Sequence, residues 1–268
     1  MILYRTKQGA LVEHQDRYFP LDDDWDELVN RDDLATYLQE ACAGSAPAGD
    51  VSLEAVIQTP LANQEIWAAG VTYYRSRTAR MEESQAAGGS DFYDRVYHAD
   101  RPELFLKATP HRAVGHRQTL HLRSDSRWIV PEPELTLAVT RRGTIVGYTI
   151  GNDVSERDWQ KVDRTLWRAK NTDTWKPMGP WIETDFDLAA ARTLVRVNGK
   201  QTIEFPTADM LFDVPTYISA MSQYLTLHPG DVIWMGTEGV SPDLKPGDVC
   251  EIEITGLGTL RNPLRAEA

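Results

Sequence analysis

A chain of 268 residues with 41% hydrophobic residues and eight tryptophans has enough apolar material for one large domain, or a small one beside a medium one. Its formal net charge of −12 argues against nucleic acid and anionic membrane surfaces as partners. It contains no run of about 18 apolar residues, so no transmembrane helix is expected. Met1-Ile2-Leu3-Tyr4-Arg5 lacks signal-peptide layout, which predicts a cytoplasmic protein.

Residues 1–60 read as a small N-terminal domain and 61–268 as the main one. Short strands are expected at Ile2–Arg5 and Gly9–Glu13. They precede an acidic helix, capped near Asp24, with Trp25, Leu28, Leu34, Tyr37 and Leu38 as its apolar stripe and a break near Asn30-Arg31. Ala43 to Gly49 is a linker, and Val51–Gln58 is strand-like. Ile66 to Tyr73 is an apolar strand. Tyr74 to Ser84 is a charged helix broken at Gly88-Gly89, and Phe92–His98 forms a second helix; this segment suits either a lid or a solvated connector. Pro102–Lys107 reads as a buried strand with Glu103 at its mouth. His111, His116 and His121 recur at a spacing that fits no single face and are read as surface histidines. Cys42 and Cys250 lie far apart and are expected as buried thiols in a reducing compartment.

The stretch from Val130 to Asp153 is the richest in information. Leu135, Leu137 and Val139 alternate with Glu134, Thr136 and Ala138, which is strand periodicity. Arg142-Gly143 signals a turn, and Ile145 to Ile150 resumes the apolar pattern. A hairpin that keeps one face apolar pairs Leu135 with Ile150, Leu137 with Tyr148 and Val139 with Val146. Its other face then sets Glu132 opposite Asp153 and Glu134 opposite Gly151, with opposed Cβ atoms roughly 5 Å apart. Three carboxylates so close are protonated in part or share a cation. Hard oxygen donors suit Mg²⁺, Mn²⁺ or Ca²⁺ and not zinc. The plain alternative is a solvated acidic patch at a strand end.

Beyond the hairpin, Ser155 is expected to cap a short helix carrying Arg157 and Asp158. Lys170 follows in a polar segment, and the prolines of Pro177-Met178-Gly179-Pro180-Trp181 predict a rigid loop. Asn198-Gly199 predicts a hairpin turn. Val214, Ile218, Met221 and Leu225 mark an amphipathic helix. Strands are expected around Val232, over Val249–Ile254 and over Leu257–Asn262. Many strands, short turns and few helices make this a β-rich sandwich or roll of α+β class.

In combination these residues resemble the fumarylacetoacetate hydrolase (FAH) family over roughly residues 61–265. The motifs are Glu132-x-Glu134, Gly147-Tyr148-x-x-x-Asn152-Asp153-Val154-Ser155-x-Arg157-Asp158, Lys170 with Pro177-Met178-Gly179-Pro180-Trp181, His228-Pro229-Gly230-Asp231 and Gly236-Thr237. The resemblance implies a mixed β-sandwich roll flanked by short helices, with a small N-terminal domain and a homodimeric state. It implies Mg²⁺ (or Mn²⁺ or Ca²⁺) on Glu132, Glu134 and Asp153, with Lys170 as the catalytic lysine. Thr237 would contact the substrate carboxylate, with Arg157, Ser76, Arg77 and Gly236 completing the substrate-binding set. Hydrolytic members carry Asn-Tyr-x-x-His-x-x-Glu after the first core strand. Here the Asn, His and Glu positions hold Thr72, Ser76 and Ala79, so the water-activating dyad is absent. Gly70 to Ser84, Tyr93 to Tyr97 and Arg101-Pro102-Glu103 instead resemble the 2-keto-3-deoxy-D-arabinonate dehydratase-like branch. Trp167 to Lys176 looks more like hydrolase or isomerase members.

The chemistry implied is metal stabilisation of the enolate of a 2-oxo acid. Glu103 and Glu82 (or Glu83) are the candidates to replace the missing dyad. The expected activity leans to dehydration of a 2-keto-3-deoxy sugar acid. C–C hydrolysis of a 2,4-dioxo acid, tautomerisation or decarboxylation of a related oxo acid, and a non-catalytic metal-binding module stand as alternatives.

Overall fold

The computed structural model describes residues 1–70, 72–73, 98–162, 165–238 and 241–267. The chain opens with an antiparallel meander of β1 (Ile2–Thr6), β2 (Gly9–His14) and β3 (Arg17–Leu21). The sequence reading missed β3, whose Pro20 argues against a strand; as an edge strand it tolerates the missing N–H. Two helices follow where one broken helix was expected. In α1 (Trp25–Leu28) the Asp24 side chain accepts from the N–H groups of Asp26 and Glu27, and α2 (Leu34–Gly44) buries Leu34, Leu38 and Cys42 at helical spacing. The expected strand over Val51–Gln58 is instead a single helical turn, α3 (Leu53–Val56), built on the good helix formers Leu53, Glu54 and Ala55.

Strands then dominate: β4 (Ile66–Gly70), β5 (Glu103–Ala108), β6 (Ala113–Val114), β7 (Leu120–Leu122), β8 (Ile129–Val130), β9 (Pro133–Val139), β10 (Ile145–Asn152) and β11 (Ser155–Glu156). Two single-turn helices, α4 (Arg157–Gln160) and α5 (Trp167–Lys170), lead to β12 (Lys176–Glu183), β13 (Arg192–Val197) and β14 (Lys200–Pro206). Then come α6 (Val214–Ser222), β15 (Val232–Trp234), β16 (Val249–Ile254) and β17 (Gly258–Ala266). The described strands build a ten-stranded sheet in the order β3-β2-β1-β12-β10-β9-β15-β4-β5, with β6 alongside β12. A five-stranded sheet runs β14-β13-β16-β17-β7, and β11 pairs with β8. Pairings are mostly antiparallel, with β4–β15, β6–β12 and β7–β17 parallel. This is the expected β-rich, mixed-sheet α+β architecture. Among the described residues no helix is long and apolar enough to cross a membrane.

Alternation along β9 feeds two cores. Leu135, Leu137 and Val139 join Val195, Ile252, Ile254 and Leu260 between the two large sheets. Ala138, with Val146 and Trp234, meets Val12, Phe19 and Leu38 on the other side. Because β1 pairs with β12, the N-terminal segment extends the large sheet and covers that second face. The carboxylate-bearing face is therefore roofed by protein, and β9 is buried along its whole length.

The central hairpin keeps most of its expected register: Leu135 faces Ile150, Leu137 faces Tyr148 and Glu134 faces Gly151. At the turn the register differs. Val139 faces Ile145, and Val146 is an extra residue that bulges β10 before Gly147 meets Ala138. The loop spans Arg141 to Gly143, with Gly143 at φ +80°, a three-residue connection. The bulge restores the register and turns Val146 into the second core.

Two other expectations are corrected. Pro102–Lys107 was read as a buried strand, yet β5 is the sheet edge, with Leu106 exposed and only Lys107 and Ala108 buried. The proline-rich stretch from Pro177 runs inside β12 and is no loop. Its ladder to β10 breaks register between Tyr148 and Ile150, where Pro180 and Trp181 stand, so the proline is not asked for a ladder donor.

Candidate active site

Glu132 immediately precedes β9 and Asp153 immediately follows β10. Asp153 N–H donates to the Glu132 carbonyl at 2.9 Å, and Glu132 N–H donates to Asn152 Oδ1 at 3.0 Å, so the hairpin backbone clamps the two acids together. Glu134 lies two residues further along, on the same face. One carboxylate oxygen from each of Glu132, Glu134 and Asp153 lies within 4.8 Å of the others, and all three residues are at most 4% exposed. The expected trio is thus assembled, and its burial rules out the solvated acidic patch.

The chain itself supplies counter-charge. Lys170 Nζ donates to Glu132 Oε2 at 2.5 Å, to Asp153 Oδ2 at 2.6 Å and to Ser155 Oγ at 2.8 Å. Lys107 Nζ reaches Glu134 Oε1 at 2.6 Å and Asp153 Oδ2 at 2.9 Å. Lys176 Nζ lies 2.8 Å from Asp153 Oδ1, and Arg157 Nη1 lies 2.7 Å from Glu132 Oε1. Three buried carboxylates therefore face three buried lysines and an arginine. The sequence reading reached Lys170 and Arg157 but gave no role to Lys107 or Lys176. The signal was available: three acids on a buried face call for cations, and a lysine stands one residue from the end of β5 while another opens β12.

Burial pulls the ionisations apart. Desolvation would raise the Asp153 carboxyl, but Lys107, Lys170 and Lys176 outweigh it and hold Asp153 well below the usual carboxylate range. For Glu134 desolvation prevails: its carboxyl is pushed up against the pull of Lys107, with Asp153 adding to the push. Burial pulls Lys107 down, yet Asp153 and Glu134 overcome it and raise the ammonium. Lys176 goes the other way: burial lowers it to about 8, opposed by Asp153 and helped by Lys170 and Lys107.

The remaining expected residues fall as follows. Ser155 is not a helix cap. It opens β11, its hydroxyl donates to the Asp153 carbonyl and to Glu132 Oε2, and the Glu156 side chain caps α4 by accepting from Trp159 N–H. Arg157 is engaged with Glu132 and with Gln160 Oε1 at 2.6 Å. Gly236 N–H donates to Glu134 Oε2 at 2.9 Å, which ties the loop after β15 to the triad and sets half-buried Thr237 beside it. Gly236 has φ +75°, and a Cβ there would stand 2.1 Å from Thr72 Oγ1, so the position requires glycine. Glu103 lies outside the cluster: it opens β5, four residues or roughly 13 Å of strand before Lys107, and pairs with Arg101 at 3.4 Å. Ser76, Arg77 and Glu82, with the two helices expected there, lie outside the described residues. His116 accepts the Arg261 N–H on Nδ1.

The donor set fits a hard divalent cation. All three first-choice ligands are carboxylate oxygens, they converge, and among the described residues Asp153 Oδ1 has no hydrogen-bond partner, Lys176 facing it as an ion pair. Of the residues described, Glu132, Glu134 and Asp153 would hold such an ion, and Lys170 and Lys107 each stand at hydrogen-bond distance from two of them.

A family model described as "Fumarylacetoacetate (FAA) hydrolase C-terminal" matches residues 66–265. A Haloferax volcanii protein named "Probable 2-keto-3-deoxyxylonate dehydratase" is 41% identical over 214 residues, 76% of this chain and 73% of that protein. The 2-dehydro-3-deoxy-D-arabinonate dehydratase of Saccharolobus solfataricus is 34% identical over 221 residues, 78% of this chain and 74% of its own. Among solved structures, 2-keto-3-deoxy-D-arabinonate dehydratase complexed with magnesium and 2,5-dioxopentanoate superposes with a TM-score of 0.82 at 26% identity, covering 100% of this chain and 99% of the other.

Proposed function

The chain belongs to the fumarylacetoacetate hydrolase family, and on that footing we propose that it dehydrates a 2-keto-3-deoxy sugar acid with a divalent cation held by Glu132, Glu134 and Asp153. The observation that carries the reading is the buried triad contacted by Lys170, on a fold matched along its whole length by a dehydratase. Absence of the His-Glu dyad, with Ser76 and Ala79 in its place, supports dehydration over water-driven C–C cleavage.

A bound Mg²⁺ supplies Lewis-acid polarisation of the 2-oxo group, which acidifies C3. In this reading Lys170 handles the C3 proton. Glu82, the candidate that remains once Glu103 falls outside the cluster, gives a proton to the C4 hydroxyl as the C4–O bond breaks, so that one water leaves. Thr237 and Gly236 receive the substrate carboxylate, with Ser76 and Arg77 on the sugar chain. Arg157, engaged with Glu132, orients that ligand before it meets substrate. Residues 1–60 act as a packing unit beside the catalytic residues 61–268. We take the protein to be a cytoplasmic homodimer. The net charge of −12 supports the absence of nucleic-acid or membrane partners.

The test is a substrate panel on the Mg²⁺-loaded protein: 2-keto-3-deoxypentonates, acylpyruvates and oxaloacetate. Dehydration of a deoxypentonate is expected. Pyruvate and a smaller acid released from an acylpyruvate, with no dehydration, would overturn the proposal.

A further inference from the structure

Lys176 is fully buried, with none of its surface exposed. The ladder between β10 and β12 explains why it points at the site. Gly151 faces Met178, so continuing the antiparallel register by two residues sets Asp153 opposite Lys176. Asp153 thus stands between Glu132 on one neighbouring strand and Lys176 on the other. The Lys176 ammonium donates to the Trp175 carbonyl at 3.1 Å and to the Lys170 carbonyl, and it forms an ion pair with Asp153 Oδ1 at 2.8 Å. The contact with the Lys170 carbonyl matters most. Lys170 ends α5, a single turn with no helical neighbour beyond it to fix its final carbonyl. One ammonium therefore joins the backbone of Lys170 to the side chain of Asp153, the two groups whose separation sets where the Lys170 amine lies.

Charge adds a second consequence. With Lys107, Lys170 and Arg157 already facing three carboxylates, Lys176 brings the cluster, among the described residues, to four cations against three anions. A divalent ion entering this cluster is repelled by the Lys176 ammonium, which lies 2.8 Å from Asp153 Oδ1.

We propose that Lys176 is a positioning residue that ties Lys170 to Asp153 and holds the affinity of the triad for a divalent cation below what the three carboxylates would otherwise give. The turnover part rests on the dehydratase reading; the affinity part rests on the triad alone.

The experiment compares wild type with Lys176→Met, which keeps the length without charge or donor, and Lys176→Gln, which keeps a donor for the Lys170 carbonyl without charge. Mn²⁺ binding is titrated by electron paramagnetic resonance in the absence of substrate, and kcat and KM are measured on the substrate found by the panel. Both variants are expected to bind Mn²⁺ about tenfold more tightly, because a repelling charge is gone. Lys176→Met is expected to lose at least about tenfold in kcat at little-changed KM, with Lys176→Gln losing less. Tighter metal with slower turnover separates positioning from structural damage, which loosens the triad and weakens both together. Weaker or unchanged Mn²⁺ affinity in cooperatively folded variants would overturn the proposal, as would an unchanged kcat in Lys176→Met, or failure of both variants to fold, which makes Lys176 plain scaffold. If no panel substrate is turned over, the dehydratase reading fails while the Mn²⁺ titration still decides the affinity part.

Discussion

Replacing Asp153 by Asn removes a buried charge that three lysines contact. Its carboxylate meets Lys170 at 2.6 Å, Lys176 at 2.8 Å and Lys107 at 2.9 Å. At an effective dielectric near 20, each contact at 2.6–2.9 Å attracts by about 6 kcal/mol. Lost hydration offsets most of that attraction, and removing one member of a buried charge set costs about 3–5 kcal/mol net. A chain of this size loses roughly 2–4 °C of Tm per kcal/mol, so Asp153→Asn should melt on the order of 6–20 °C lower. The assay is thermal unfolding followed by circular dichroism in EDTA, which keeps metal binding out of the comparison. The pH dependence has a defined sign. Asp153 is held well below the usual carboxylate range, so its contribution is present above the unfolded-state value and is lost as pH falls through the folded one. The gap between wild type and variant should therefore be full at neutral pH and shrink below about pH 4. A variant that melts within about 2 °C of wild type at pH 7 would refute the view that these lysines are held in place by Asp153.

Gly236→Ala should destabilise by about 2 kcal/mol or more in urea, because φ +75° and a Cβ 2.1 Å from Thr72 Oγ1 both oppose it, and should abolish turnover by moving the N–H that holds Glu134. Leu137→Ala, at the centre of the main core, should cost about 2–5 kcal/mol in the same measurement. Burial, aided by Glu251 and Asp248, pushes the Cys250 thiol up to about 12, so Cys250 should resist thiol reagents at pH 8 until the protein is unfolded. Asn198→Ala should cost about 1 kcal/mol, since Asn198 holds φ +52° in the turn between β13 and β14 and its side chain bonds Asp248 and Val249.

Much of this was legible in the residues. Alternation along Leu135, Leu137 and Val139 determined both the strand and the face on which Glu134 sits, and that face brought Glu132 and Asp153 together. Legibility ended where one strand had to be read against a distant one. The bulge at Val146 exists because the turn takes three residues, a length that Arg142-Gly143 alone does not specify. Lys107 and Lys176 looked like ordinary polar residues next to apolar runs; only the pairing of β12 with β10 and the reach of Lys107 into the sheet turn them inward. The three acids called for a positive partner, and the chain supplies it in part through its own ammonium groups. Ser155 resembled a cap because it precedes a helix, but Asp153 and Glu132 compete for its hydroxyl and Glu156 caps instead.

The central claim is that Glu132, Glu134 and Asp153 hold a divalent ion without which the sugar-acid chemistry does not run. The most direct test strips the protein with EDTA and then titrates Mg²⁺ back while the loss of one water from a 2-keto-3-deoxypentonate is followed by mass spectrometry. Negligible dehydration in EDTA, saturable recovery with Mg²⁺ and no recovery in Glu134→Gln are the results expected. Full dehydration by the stripped wild-type protein, or by Glu134→Gln with no metal bound, would contradict it.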